Sequence, residues 1–148
     1  MTLVNFLIGL PVMLVCLVVQ VALAFWSVRY CVSHSSLVGV GRGFLSGMRL
    51  LVVAMLAMML GSLLQIVLWG GLFVWLGEFE QADDAIYHSA VNFTSLGYGD
   101  IVMSRPRRLL GPLEAANGVL MLGMSAAALM AILQQMIAML RETVDGAE

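Results

Sequence analysis

The sequence predicts an all-α membrane protein whose subunit has three membrane-spanning helices. Of its 148 residues, 61% are hydrophobic and only 11% are charged, which is more apolar surface than a water-soluble domain can bury. Three runs contain no charged residue, namely residues 1–28, 50–77 and 115–140. Each run exceeds the roughly 20 apolar residues that a helix needs to cross a bilayer. We therefore expect an integral, multi-pass protein that is surrounded by the lipid bilayer.

The first helix is predicted to run from about residue 2 to residue 28 and to stay in the mature protein. Ala22 and Ala24 resemble a signal-peptide cleavage site, but no positive charge precedes the apolar run, which is too long for a signal peptide. With the polar connector that follows, this helix forms a predicted N-terminal unit, residues 1–43. Cys16 and Cys31 are predicted to be small apolar core residues, because two cysteines make neither a disulfide framework nor a metal site.

The second helix is predicted to begin between residues 44 and 49 and to end near residue 76, before an acidic turn. Residues 83–95 mix polar and apolar side chains, and we predict a short helix there that Asp83 or Asp84 caps. A helix of this length cannot cross a bilayer, so it either re-enters the membrane or lies at its interface. A third long helix is predicted over residues 113–140, followed by a short cytoplasmic tail, residues 141–148.

The sequence TSLGYGD, residues 94–100, follows the short helix and is called here the filter segment. Non-helical backbone at membrane depth is tolerated only where protein buries it or where it lines a water-filled path. Turning successive carbonyls to one side requires backbone angles that Gly97 and Gly99 adopt easily. Carbonyl rings contributed by several subunits could then replace the hydration shell of a cation.

The filter segment resembles the selectivity filter of potassium channels, whose usual form is Thr-Thr-Val-Gly-Tyr-Gly-Asp. The preceding YHSAVNFTS is similar to the end of the pore helix in that family. The resemblance covers roughly residues 44–140, a predicted pore domain of outer helix, re-entrant pore helix, filter and inner helix. It implies a cyclic homotetramer that conducts K+ ions passively, with no enzymatic activity. The predicted filter residues are Thr94, Ser95, Leu96, Gly97, Tyr98 and Gly99.

Two filter residues depart from the usual potassium-channel form. Ser95 stands where a second threonine is usual and keeps the hydroxyl that would be an ion ligand. Leu96 stands where valine is usual, and in the family that side chain points away from the pore. A weakly selective monovalent cation channel therefore stays open as an alternative, and a non-conducting accessory or scaffold subunit is a further one. Nucleic acid is not an expected partner, because the arginines are scattered along the chain.

His88 and Asp100 are predicted to support the filter. The family often places an aromatic residue that braces the filter tyrosine near the position of His88, so we predict a His88–Tyr98 hydrogen bond; a histidine at the helix surface is the alternative. Val91 stands where some members place a glutamate that pairs with the filter aspartate. We therefore expect Asp100 to pair with Arg105, Arg107 or Arg108 of its own or of a neighbouring subunit.

The third helix carries the predicted gate and one acidic residue. Gly118 resembles the hinge glycine of the family, and Gly123 is the alternative, although a face of small residues also arises from close helix packing. Glu114 borders the third span, and we predict that it forms a structural ion pair with Arg107 or Arg108 near the outer interface.

The distribution of arginines suggests an orientation in the membrane. Under a three-span topology, Arg29, Arg42, Arg49 and Arg141 lie on one side, and the arginines of residues 105–108 lie on the other. The side with more basic residues is usually cytoplasmic. We expect the amino terminus outside, the carboxyl terminus in the cytoplasm, and a bacterial inner (cell) membrane as the location.

Overall fold

The computed structural model describes residues 2–34 and 43–145, and these form four α-helices without any β-strand. The helices are α1 (Thr2–Ser33), α2 (Gly43–Trp75), α3 (Ala82–Phe93) and α4 (Leu110–Asp145). Three helical stretches are long and apolar enough to cross a membrane: Thr2–Ser33, Gly47–Trp75 and Leu110–Ala138. The prediction of an all-α chain with three spans is therefore confirmed. Most of the predicted polar connector, including Arg42, lies outside the described residues.

The long helices extend beyond the apolar runs that predicted them. Helix α1 continues through Arg29 to Ser33, and α4 begins at Leu110 and ends at Asp145. Hydropathy marks only the part of a helix that needs an apolar environment, whereas the backbone hydrogen bonds continue into polar sequence until a residue ends them. The earlier start of α4 changes the expected position of Glu114, as described below.

Helix α3 is a twelve-residue helix that begins one residue before its acidic pair. Its N-cap is Gln81, whose side chain makes no capping hydrogen bond, and Asp83 and Asp84 lie inside the first turn. The prediction that one of these two acids caps the helix is therefore wrong. Their carboxylates still lie at the positive end of the helix dipole, where negative charge is favourable.

The four helices share one core, and α1 is part of it. Helices α1 and α3 each pack against both α2 and α4. One buried apolar cluster draws residues from every helix and from the loop before α4: Cys16, Trp69, Phe73, Ala85, Met103 and Leu110. A second cluster lies at the opposite end and contains Cys31, Leu50, Ala54 and Ile132. Both cysteines are buried and free, which confirms the prediction that they fill the core.

Helix α1 runs in the same direction as α4. Near the amino terminus Gly9 packs against Leu113, and near the other end Cys31 shares a cluster with Ile132. Asn5 Nδ2 donates a hydrogen bond of 2.9 Å to the carbonyl oxygen of Pro106. The amino terminus of α1 therefore lies at the same end of the subunit as the loop between α3 and α4.

Two glycines allow α3 to approach its neighbours at backbone distance. A Cβ atom at Gly70 of α2 would lie 3.1 Å from the Cα of Ile86. A Cβ atom at Gly118 of α4 would overlap the carbonyl group of Phe93, the last residue of α3. Helix α3 is thus held between α2 and α4 without intervening side chains at these two points.

Candidate functional site

The backbone of the filter segment alternates in conformation from residue to residue. Ser95, Gly97 and Gly99 have φ angles of 60°, 61° and 71°, whereas Leu96 and Tyr98 between them do not have positive φ. The left-handed angles predicted for the two glycines are therefore present. Ser95 is the only non-glycine residue with positive φ among the described residues, a conformation that costs a non-glycine residue about 1 kcal/mol or more.

The amide groups at the start of the filter segment are bonded back to α3. The carbonyl oxygen of Val91 accepts the Leu96 amide at 2.9 Å and the Gly97 amide at 3.3 Å. The Ser95 amide donates to the carbonyl oxygen of Asn92 at 2.8 Å. No hydrogen bond among the described residues uses a carbonyl of residues 95–99 as its acceptor. The segment therefore keeps its carbonyl oxygens available for a ligand.

Every residue of the filter segment is exposed in the subunit. The large side chains Leu96 and Tyr98 are 54% and 68% exposed. Thr94 is the C-cap of α3, and its hydroxyl donates a hydrogen bond of 2.7 Å to the carbonyl oxygen of Ala90. The segment is thus anchored to α3 at its start, whereas its side chains are exposed in the single subunit.

His88 supports the chain just after the filter segment and does not contact the filter tyrosine through a hydrogen bond. Its Nδ1 donates to the carbonyl oxygen of Ile101 at 2.8 Å, and its Nε2 accepts from Asn92 Nδ2 at 2.9 Å. Within the subunit, the predicted His88–Tyr98 hydrogen bond is therefore wrong. The alternative of a surface histidine is also wrong, because His88 is only 6% exposed.

The two hydrogen bonds of His88 require a neutral ring. A carbonyl oxygen can only accept, so Nδ1 carries the proton, and Nε2 is then free to accept from the amide of Asn92. Burial lowers the pKa of His88, and this effect outweighs the opposing effects of the Ile101 carbonyl and of Asp100. Both observations indicate that the neutral imidazole is the form that bridges α3 and Ile101.

Asp100 pairs with Tyr87 of α3. The Tyr87 hydroxyl donates a hydrogen bond of 2.7 Å to Asp100 Oδ2. This bond is the main reason that the pKa of Asp100 is lowered and the pKa of Tyr87 is raised. Within the subunit, Asp100 therefore pairs with Tyr87 and not with an arginine of residues 105–108; pairing with an arginine of a neighbouring subunit stays a prediction.

Arg107, one of the arginines predicted to pair with Asp100, pairs with Glu78 in the acidic turn after α2. Arg107 Nε lies 3.5 Å from Glu78 Oε1, and its guanidinium donates to the carbonyl oxygen of Leu76 at 2.7 Å. The Glu78 carboxylate also accepts from the amide of Ser104 at 2.8 Å and from its hydroxyl at 2.9 Å. The two loops that flank α3 are thereby tied together.

Glu114 is fully buried and forms no ion pair with an arginine of the described residues, so the predicted pairing with Arg107 or Arg108 is wrong. Because α4 begins at Leu110, Glu114 lies more than one turn inside the helix, on the side that faces α3. Its Oε1 lies 2.5 Å from Ser89 Oγ, which itself lies 2.7 Å from the carbonyl oxygen of Ile66. The carboxyl group is thus part of a contact that joins α2, α3 and α4.

A second buried polar group, which sequence reasoning missed, joins α1 to the other spans. Gln20 Nε2 donates to Ser125 Oγ at 2.6 Å, and Gln65 Nε2 donates to Gln20 Oε1 at 2.7 Å. A polar side chain inside an apolar span must find a partner, because leaving it unpaired in lipid is costly. The two glutamines interrupting otherwise apolar runs were the signal in the sequence that could have revealed this contact.

The two hinge candidates on α4 differ in their surroundings. Gly118 is in backbone contact with Phe93, as described above, whereas a Cβ atom at Gly123 would meet nothing within 4 Å. The close contact gives Gly118 a packing role. Hinge motion at either glycine remains a prediction.

These features define a class of membrane protein in which a short helix and an extended polar segment are inserted between two apolar spans. Comparison with protein families gives a match over residues 61–135, half of the chain, to a family described as "Ion channel". The chain belongs to this ion channel family, whose members share the two-span pore. A comparison with curated proteins and one with solved structures found no match.

Proposed function

We propose that this protein is the subunit of a potassium-selective channel that conducts K+ ions passively as a homotetramer. The observation that carries the proposal is the backbone of the filter segment. Its φ angles alternate at Ser95, Gly97 and Gly99, its first amides are bonded to α3, and its carbonyls accept no hydrogen bond among the described residues. Such a backbone can present several oxygens on one side.

The proposed ligands of K+ are the carbonyl oxygens of residues 95–98 and the Ser95 hydroxyl. Four copies of the segment around a symmetry axis would stack these oxygens in rings that replace the hydration shell of the ion. Gly99 would shape the outer mouth. Helix α3 would re-enter the membrane and direct its C-terminal end, which carries partial negative charge, toward the ion path.

The exposure of the filter segment in the single subunit supports the proposed tetramer. Leu96 and Tyr98 are exposed in the single subunit, and an apolar and an aromatic side chain beside an ion path are better covered by a neighbouring subunit than left open. We also propose that the amino terminus lies outside the cell and that the protein resides in a bacterial inner membrane.

Potassium flux into vesicles that contain the purified full chain tests this function. We expect potassium uptake that barium blocks and that Gly99→Ala abolishes, because alanine disfavours the φ of 71° at this position. Gly71→Ala is the matched control, since Gly71 lies inside α2 with nothing within 4 Å of an added Cβ atom; this variant should conduct normally. A correctly assembled protein without flux would instead indicate an accessory or scaffold subunit.

A weakly selective monovalent cation channel is the second candidate. It is favoured by Ser95 and Leu96, which depart from the usual filter residues and so change the packing behind the ring of ligands. Sodium uptake as fast as potassium uptake in the same vesicles would support this candidate over the first.

A further inference from the structure

The hydroxyl of Ser89 has two close oxygen neighbours but only one proton. Ser89 Oγ lies 2.7 Å from the carbonyl oxygen of Ile66 and 2.5 Å from Glu114 Oε1. Both distances are short enough for hydrogen bonds between oxygens, and two full hydrogen bonds at one hydroxyl require two protons. The Ile66 carbonyl can only accept, and Ser89 supplies one proton. A protonated Glu114 would supply the second proton.

An ionised Glu114 does not fit the same surroundings. Ser89 would then have one proton for two acceptors, the carboxylate and the Ile66 carbonyl, so only one of the two contacts could be a full hydrogen bond. Glu114 Oε2 is buried and has no hydrogen-bond partner among the described residues. A charge on such a carboxyl, removed from water and without a cation, would be strongly unfavourable.

The groups placed beside the Glu114 carboxyl are uncharged. Helix α3 contributes Ser89 and Asn92, and helix α2 contributes the Ile66 carbonyl through Ser89; Cys16 of α1 lies in the neighbouring apolar cluster. No charged side chain of the described residues is paired with it. The site therefore offers hydrogen bonds from neutral groups and, among the described residues, no cation to balance a carboxylate.

We propose that Glu114 is a neutral carboxylic acid at neutral pH and donates its proton to Ser89, which in turn donates to the Ile66 carbonyl. This chain of two donors joins α4, α3 and α2 behind the filter segment. Glu114 is thus a positioning residue for α3. The role of Glu114 in positioning α3 for conduction rests on the proposed channel function, whereas the location of its proton does not.

The Glu114 carboxyl also connects to Ile101, the residue that follows the filter segment. Asn92 lies beside Glu114 and donates to His88, which donates to the carbonyl oxygen of Ile101. The neutral acid therefore anchors α3 and, through two further side chains, the chain immediately after Asp100. A charge introduced at residue 114 would disturb both ends of the filter segment.

Infrared spectroscopy of the full chain in lipid vesicles at neutral pH tests the location of the proton. We expect the C=O stretching band of a protonated carboxylic acid in the wild-type protein and its loss in Glu114→Gln. Glu78→Gln is the matched control, because Glu78 is ion-paired with Arg107 and should contribute no such band. Identical wild-type and Glu114→Gln spectra in this region would overturn the proposal.

Two substitutions test the positional role. Glu114→Gln keeps a group that can donate to Ser89, so we expect potassium flux and selectivity to be retained. Glu114→Ala removes the donor, and we expect loss of selective flux. Loss of selectivity in Glu114→Gln would contradict a neutral donor at this position. A wild-type protein that does not conduct would refute the channel function, while the infrared band would still decide the state of Glu114.

Discussion

At the scale of single residues, the side chains around the filter segment are held by hydrogen bonds in which each donor and acceptor atom can be assigned. Tyr87 donates to Asp100, and the neutral ring of His88 donates to Ile101 while accepting from Asn92. Both contacts come from α3 and reach the end of the filter segment. The protonation states of His88 and Asp100 should therefore respond to changes in α3 more than to changes in the arginines of the following loop.

Removing the Tyr87 hydroxyl is expected to raise the pKa of Asp100. The hydrogen bond from Tyr87 favours the ionised carboxylate and lowers its pKa, so Tyr87→Phe should move the titration midpoint upward toward the ordinary value. Carbon-13 NMR of the Asp100 carboxyl as a function of pH measures this midpoint. Tyr30→Phe, at the opposite end of the subunit, is the control and should leave it unchanged. An unaltered midpoint in Tyr87→Phe would show that another group sets this pKa.

Acidification is expected to destabilise the folded subunit through His88. Its pKa is lowered in the folded state, so the unfolded state binds the proton more readily. The contribution of His88 is complete above the unfolded pKa of about 6.5 and is lost as the pH falls from there through the folded pKa. Melting of the detergent-solubilised protein at several pH values measures this slope. His88→Gln, which can still donate to Ile101, should show a smaller slope; equal slopes would argue against this role for His88.

At the scale of helices, close contacts rather than apolar area determine how α3 and α1 are placed. Gly118 brings the backbone of α4 against Phe93, and Gly70 brings α2 against Ile86. Gln20 ties α1 to both α2 and α4 through side-chain hydrogen bonds. The first helix is therefore an integral part of the subunit core, and it is bonded to the same helix that carries both hinge candidates.

Alanine at the two glycines of α4 should have different effects. Gly118→Ala would force the Phe93 backbone away and is expected to destabilise the subunit by about 1 to 3 kcal/mol. Gly123→Ala, in open space, is the matched control and should change stability by no more than about 1 kcal/mol. Unfolding in a denaturing detergent measures both. A Gly118→Ala variant as stable as wild type would contradict the observed packing.

Replacing Gln20 should weaken the attachment of α1. Gln20→Leu leaves Gln65 and Ser125 without their partner, at an expected cost of about 0.5 to 2 kcal/mol. The same unfolding measurement checks this value. Val21→Leu, at a position exposed in the subunit, is the control and should be neutral. If both variants unfold alike, the buried glutamines contribute nothing to the attachment.

At the scale of the whole molecule, the parts that the sequence predicts are those that depend on local chemistry. Hydropathy located the three spans, and the conformational freedom of Gly97 and Gly99 located the extended backbone. The partners of His88 and Glu114 were predicted wrongly, and within the subunit Asp100 pairs with Tyr87 and not with an arginine. Those contacts depend on the rotation of α3 and on the register at which α4 begins, which spacing along the chain does not specify.

The ion selectivity of the assembled protein tests the central proposition, that carbonyls of residues 95–98 replace the hydration of potassium. Currents through a planar bilayer that contains the wild-type protein are recorded with potassium on one side and sodium on the other. We predict a reversal potential far from zero, with the sign that a permeability much greater for potassium than for sodium requires. A reversal potential near zero under these conditions, or well-assembled protein that passes no current, would contradict it.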